Sequence, residues 1–264
     1  MGTRARSDSV KILWAEMTRP ELAEAVKRDT LVILPVGAIE QHWPHLPVNT
    51  DTCDAYEIAK RVATRERDVV VAPPVWWGYS PYHAGFPGTI SLRPEVFLGL
   101  LQDVCDGILS HGFRKLFILN GHGGNRNLIS VAVFECMRRT GVSIAAASFW
   151  DLATPRIREI RESPTGGMGH SCELETSLQL VFQPALVQME MASRQLVDPR
   201  RSYGTSLSFK DLLDFGAVTT GYDLTTTDPT GILGDPTLAS AEKGQRIVEA
   251  VLEGISQFIK EYRG

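Results

Sequence analysis

The chain has little that would tie it to a membrane, a nucleic acid or an oxidising compartment. Its four cysteines, Cys53, Cys105, Cys136 and Cys172, form no CxxC pair and no disulfide-framework spacing, so reduced thiols and a cytoplasmic protein are expected. No apolar run approaches the length that spans a bilayer. No apolar stretch follows Arg4 and Arg6 either, so a secretory leader is not expected. Charge of one sign does not accumulate: 27 Lys and Arg face 31 Asp and Glu, and Arg138-Arg139 and Arg200-Arg201 are isolated pairs. That is a solvated surface rather than a nucleic-acid footprint, so neither nucleic acid nor membrane is expected as a partner. No linker, repeat or low-complexity tract interrupts the 264 residues, and a single domain over residues 1–264 is expected.

What is present alternates between strand and helix. Leu31 to Val36 and Val69 to Ala72 read as buried strands, the first ended by Gly37 and the second by Pro73-Pro74. Lys115 to Leu119 is a third and Val142 to Ser148 a fourth. Helices are expected over Arg19–Lys27 (capped by Thr18, with Pro20 in its first turn), Asp51–Thr64, Pro94–His111, Arg126–Arg139, Glu173–Val181 and Ala239–Tyr262. This alternation argues for an α/β fold with a mainly parallel sheet covered on both faces. Ser202 to Asp235 reads as loop-rich, and Val75 to Leu92 as a long aromatic loop.

Three motifs carry candidate chemistry. Glu40-Gln41-His42 follows the first strand, with Asp51 opening the next helix. Residues two apart in extended chain project to one side, so Glu40 and His42 can reach one metal ion or two adjacent ones, with Asp51 swinging across. Asn120-Gly121-His122-Gly123-Gly124-Asn125 follows the third strand and lacks the Lys-Ser/Thr of a P-loop, which places His122 on the same rim. The third motif runs from Gly169 to Ser177: His170 and Glu173, three apart, share a face if the turn is helical, and Glu175 then points elsewhere, toward a structural hydrogen bond. Cys172 lies in this motif as well, but a thiol nucleophile would leave the metal-type ligands unexplained. The donors suit zinc, manganese or iron.

With these motifs in place, the chain resembles the creatininase family from about Leu31 to Gly244. The match rests on Glu40-Gln41-His42, Pro44-His45-Leu46-Pro47, Thr50-Asp51, His83 with Phe86-Pro87-Gly88-Thr89, the His122 turn, Glu175-Thr176-Ser177 after His170, and Gly234-Asp235-Pro236. The resemblance implies a three-layer α-β-α sandwich, a centre of two divalent metal ions and hydrolysis of an amide-type C–N bond. It also implies a homo-oligomer, a hexamer among the forms it allows. By position, Glu40 and His122 would hold one ion and His42 the other, with Asp51 bridging and His170 as the proton-transfer residue. Trp150 falls where creatininase has a tryptophan beside its substrate. Creatininase has a metal-binding glutamate at the place of Gly124, and Glu173 is expected to supply the missing carboxylate. Trp43 stands where glycine is usual and is expected in the substrate pocket. Gly124 and Trp43 argue against creatinine as the small-molecule substrate. The alternative to amide hydrolysis is hydrolytic C–C cleavage of a cyclic keto-polyol by the same centre, and a non-catalytic metal-binding protein is the reading from another class.

Overall fold

The computed structural model of this protein describes residues 11–227 and 229–264; the N-terminal segment read above for a leader lies outside them. Its central sheet holds β1 (Leu31–Val36), β2 (Val69–Val71), β3 (Lys115–Asn120) and β4 (Ala145–Ser148), all parallel and ordered β2-β1-β3-β4. Both faces are covered, which is why β1 is apolar at every position and wholly buried. Alternate residues feed separate cores. Leu31, Ile33, Phe117 and Leu119 meet α2 (Thr50–Arg65), α5 (Thr154–Ile160), α6 (Glu173–Phe182) and α9 (Ala241–Arg263). Val32, Leu34, Leu116 and Ile118 meet α1 (Arg19–Lys27), α3 (Pro94–Ser110) and α4 (Arg126–Thr140). The three-layer α/β arrangement expected from the sequence is the one observed.

Pro35 is unusual in a central strand. Its carbonyl accepts from Val75 N at 2.9 Å, on the side where β2 has already ended, so its missing N–H costs no ladder bond to β3.

The strand order positions the site. From β1 the chain passes through α2 to β2 on one side, then through α3 to β3 on the other. That reversal leaves a crevice outside the carboxyl ends of β1 and β3, where open α/β sheets bind ligands.

Helix limits follow local chemistry. Thr18 and Glu21 close a capping box on α1, and α4 stops at Gly141 with φ of 71°. The region after Trp150 contains more than the sequence suggested: α5, then an antiparallel pair of β5 (Met168–His170) with β6 (Leu233–Gly234), and the short helices α7 (Pro199–Tyr203) and α8 (Leu224–Thr227). Among the described residues no helix is long and apolar enough to cross a membrane.

Candidate metal centre

Five elements bring their ends to this crevice. The loop after β1 supplies Glu40 and His42, the first turn of α2 supplies Asp51, and the turn after β3 supplies His122. His170 ends β5, and Glu175 lies in the first turn of α6. All six side chains are buried. Asp51 sits between two sets: Oδ2 is 2.9 Å from His122 Nδ1, while Oδ1 is 3.3 Å from His42 Nε2. His122 Nδ1 is also 3.2 Å from Glu40 Oε2, and His42 Nε2 lies 3.9 Å from Glu175 Oε1. Ligand atoms therefore gather within 4.8 Å of one another as Glu40–Asp51–His122 and as His42–Asp51–Glu175, with Glu40–His42–His170 between them.

The far nitrogens set which ring atoms face this cluster. His42 Nδ1 donates to the Glu40 carbonyl (3.2 Å) and His122 Nε2 to the Tyr79 carbonyl (3.1 Å), leaving His42 Nε2 and His122 Nδ1 as lone-pair donors. Three atoms that point inward, Glu40 Oε2, His42 Nε2 and Asp51 Oδ2, are buried without a hydrogen-bond partner. Buried polar atoms left bare are costly, and a cation among them removes the cost. The donor set of three carboxylates and neutral imidazoles fits divalent metal ions.

Electrostatics point the same way. Burial pulls the His42 imidazole down, yet the Asp51, Glu175 and Glu40 carboxylates overcome it and push it up to about 10. His122 is likewise held well above the ordinary range against burial, by Glu40 and Asp51. Burial, with Asp51 nearby, pushes Glu175 up to about 7, and His42 opposes the rise. Without metal, the site draws protons into the positions a cation would take. His83 and His170 behave differently. Burial brings His83 down to about 4, and burial with the neighbouring His83 and His42 holds His170 well below its usual value.

Glu173 is not among the gathered donors. Its carboxylate accepts from the backbone N–H groups of Glu162 and Ser163, both at 2.9 Å, and from the buried Lys243 ammonium. Against the upward push of burial, Lys243 and these N–H groups hold its pKa below the carboxylate norm. The expectation that His170 and Glu173 share a helical face fails because Ser171 takes a left-handed conformation (φ 51°) between β5 and α6. That break turns His170 into the crevice and Glu173 toward α9. Glu175 does both jobs: Oε2 accepts from Cys172 N at 3.1 Å as the third residue of a capping box, and Oε1 faces His42. The capping-box spacing was the signal that this carboxylate folds back over the helix start.

Neither tryptophan lines the cavity above the cluster. Trp150 is buried in the core against Phe149, ring centroids 4.9 Å apart. Trp43 is 46% exposed; its backbone is tied inward by Gln41 Oε1 and by His45 Nδ1, which leaves the indole outside. His45 itself bridges to Thr176 of α6 and so staples this loop. Cys172 is fully buried, and burial beside Glu175 raises its thiol well above the usual value, which denies it a thiolate role. The cavity, about 550 Å³, is walled instead by Tyr79, Tyr82, His83, Tyr203, Phe209 and Tyr222 with the cluster at its base. Tyr82 stacks on Tyr222 at 5.0 Å. A Cβ on Gly124 would lie 1.9 Å from the Tyr82 hydroxyl, so Tyr82 occupies the space a side chain at 124 would need. Trp76 and Trp77 face a separate groove with Trp14.

The profile of the creatininase family, described as creatinine amidohydrolase, matches residues 15–259. This chain belongs to the creatininase family. It is similar to 3-dehydro-scyllo-inosose hydrolase of Thermotoga maritima (30% identical, spanning 95% of this chain and 83% of the relative). It is also similar to creatinine amidohydrolase of Pseudomonas putida (30%, 96% and 98%) and to the mycofactocin precursor peptide peptidase of Mycolicibacterium smegmatis (32%, 88% and 85%). Among solved structures, a Zn-Zn type creatininase variant superposes with a TM-score of 0.81 at 28% identity, over 96% of this chain and 98% of the other. A manganese creatininase gives 0.80 at 28%, over 95% and 98%. Membership makes the protein a metal-dependent hydrolase of the amidohydrolase type, and the buried ligand groups are its candidate divalent-metal site.

Proposed function

We propose that this protein hydrolyses an amide-type C–N bond, cyclic amide or formamide, in a small polar metabolite other than creatinine. Two divalent ions, zinc, manganese or iron, would be held by Glu40, Asp51 and His122 on one side and by His42, Asp51 and Glu175 on the other. The observation that carries this reading is the Asp51 carboxylate, which offers one oxygen to each of two donor sets. Bound there, a divalent ion supplies Lewis acidity, polarising a carbonyl and lowering the pKa of water.

The chain's own residues do the rest. His170 Nε2 is tied to the Gln41 carbonyl at 2.8 Å, so its bare Nδ1, 3.4 Å from Glu40 Oε1, faces the cluster. It takes the proton released by the attacking water and returns it to the leaving nitrogen. Tyr82, Tyr203 and Tyr222 wall the cavity and shield the reacting carbonyl from bulk water. Tyr82, lodged against Gly124, gives this cavity a wall unlike one bearing a carboxylate there, which supports a substrate other than creatinine.

A second reading, hydrolytic C–C opening of a cyclic keto-polyol, is supported by the similarity to the inosose hydrolase over 95% of the chain. Assays of metal-loaded protein on cyclic amides, formamides and cyclic keto-polyols separate the two. Ammonia or amine release supports the first reading, and a ring-opened acid without amine release supports the second. Turnover by a metal-free Asp51→Ala variant would overturn both.

A further inference from the structure

Two side chains beside the cluster have no part in the reading above: that of Gln41, which lies between the metal-type donors Glu40 and His42, and that of His83, which comes from the aromatic loop. Both are buried, and the hydrogen bonds around Gln41 determine their protonation pattern without ambiguity. The Trp43 N–H can only donate, and it reaches Gln41 Oε1 at 3.0 Å. The Gly231 carbonyl can only accept, and Gln41 Nε2 reaches it at 3.1 Å. The amide therefore cannot be turned over. The Gln41 backbone carbonyl, also an acceptor only, is 2.8 Å from His170 Nε2, which must then carry its hydrogen. That nitrogen cannot also accept from the Gln41 amide 3.0 Å away. The second amide hydrogen is left for His83 Nδ1 at 3.1 Å, which must be bare, and the His83 hydrogen resides on Nε2.

The two rings, with centroids 4.1 Å apart, thus share one tautomer but turn opposite edges to the cluster. His170 presents bare Nδ1. His83 presents Nε2–H, 3.6 Å from Glu40 Oε1 and so uncommitted to it. We infer that His83 is a second catalytic group, an N–H donor for the charge that develops on the substrate's carbonyl oxygen, and that Gln41 is the positioning residue that holds it in that tautomer. This rests on the hydrolytic reading above and divides acyl hydrolysis between two histidines, one accepting a proton and one stabilising an oxyanion. Gly231 belongs to the same device. At φ of 70°, a Cβ there would lie 2.5 Å from Gln41 Nε2 and displace the amide.

The test is a spectroscopic one with an activity arm. Long-range 1H–15N spectra of zinc-loaded, 15N-histidine-labelled protein report each ring's tautomer, with His83 assigned by its loss in His83→Leu. The expected wild-type state is Nε2–H with bare Nδ1. In Gln41→Glu the side chain can only accept, and His83 Nδ1 should become protonated while His42 and His122 keep their signals. Gly231→Ala, which displaces the amide from outside the cluster, should abolish the single tautomer and serves if Gln41→Glu does not fold. On an amide that the wild type cleaves, His83→Leu should lower kcat by about 10²–10³-fold with KM little changed, the cost of one oxyanion donor. Protonated His83 Nδ1 in the wild type, an unaltered ring in both variants, or unchanged kcat in His83→Leu overturns the inference. If no amide is cleaved at all, the proposed reaction fails while the tautomer result is read independently.

Discussion

Glu173 and Glu175 lie two residues apart, and their replacement separates a carboxylate tied to Lys243 from one that lies among the candidate metal donors. In Glu173→Ala, the N–H groups of Glu162 and Ser163 lose their acceptor, and the Lys243 ammonium, 3% exposed, loses its buried counter-charge. Removing one partner of a buried ion pair costs about 3–5 kcal/mol. Here the lower end applies, because Lys243 keeps the Leu238 carbonyl at 2.5 Å and the largely exposed Glu162 carboxylate at 3.2 Å. A loss of about 3 kcal/mol lowers Tm by roughly 6–12 °C for a chain of this size. Glu175→Gln removes a carboxylate that burial already pushes up to about 7, so the metal-free variant should melt close to wild type. Thermal melts of chelated protein, paired with metal content by elemental analysis, give the comparison. Glu173→Ala should melt early and retain the wild-type metal content; Glu175→Gln should melt normally without metal and bind less of it. The reasoning is refuted if Glu173→Ala melts with wild type while losing metal, since Glu173 would then be the donor that its sequence position suggested.

Other consequences follow from the same geometry. Asp51→Asn should lose metal from both sides of the cluster, seen as a fall in total metal content beyond that of Glu175→Gln; equal losses would deny the bridging role. Gly124→Ala should cost about 1–3 kcal/mol by overpacking, because its Cβ would meet the Tyr82 hydroxyl and also crowd His122 Nε2 and the Tyr79 carbonyl. The penalty should shrink in a Tyr82→Ala background, and additive effects in this double-mutant cycle would count against the contact. Burial pushes the thiols of Cys53 and Cys105 up to about 12, whereas an unfolded thiol ionises near 8.5. Their contribution to stability is therefore intact below about pH 8.5 and is lost as pH rises toward 12, at about 1.4 kcal/mol per pH unit for each thiol. Denaturant midpoints between pH 8 and 10 should fall more steeply for wild type than for Cys105→Ala; parallel slopes would refute the assignment.

The β1 and β2 strands of the sheet were legible because they are buried at every position and therefore apolar throughout. Helix ends were legible where a side chain caps them, as at Thr18. β5 and β6 were not legible: three residues and two residues carry no periodic pattern, and they pair across more than sixty positions of chain. Within the site, Glu40, His42, Asp51, His122 and His170 were all singled out from local motifs, and the structure brings them together. Glu175 was passed over because helical spacing was counted from His170 through a residue that is left-handed. Trp43 and Trp150 were placed by resemblance alone, and the chain packs one outward and the other into the core.

Local sequence was enough for the donor types, the strand ends that carry them and the family, because each depends on residues adjacent in the chain. It could not say which carboxylate completes the donor set. That choice depends on Lys243, seventy residues further along, which captures Glu173 and leaves Glu175 to the cluster. Nor could it assign the edges of His83 and His170, which are governed by Gly231 and by the loop that carries Gln41. Such decisions are competitions among buried polar groups for partners, and the competitors meet only once the chain has folded.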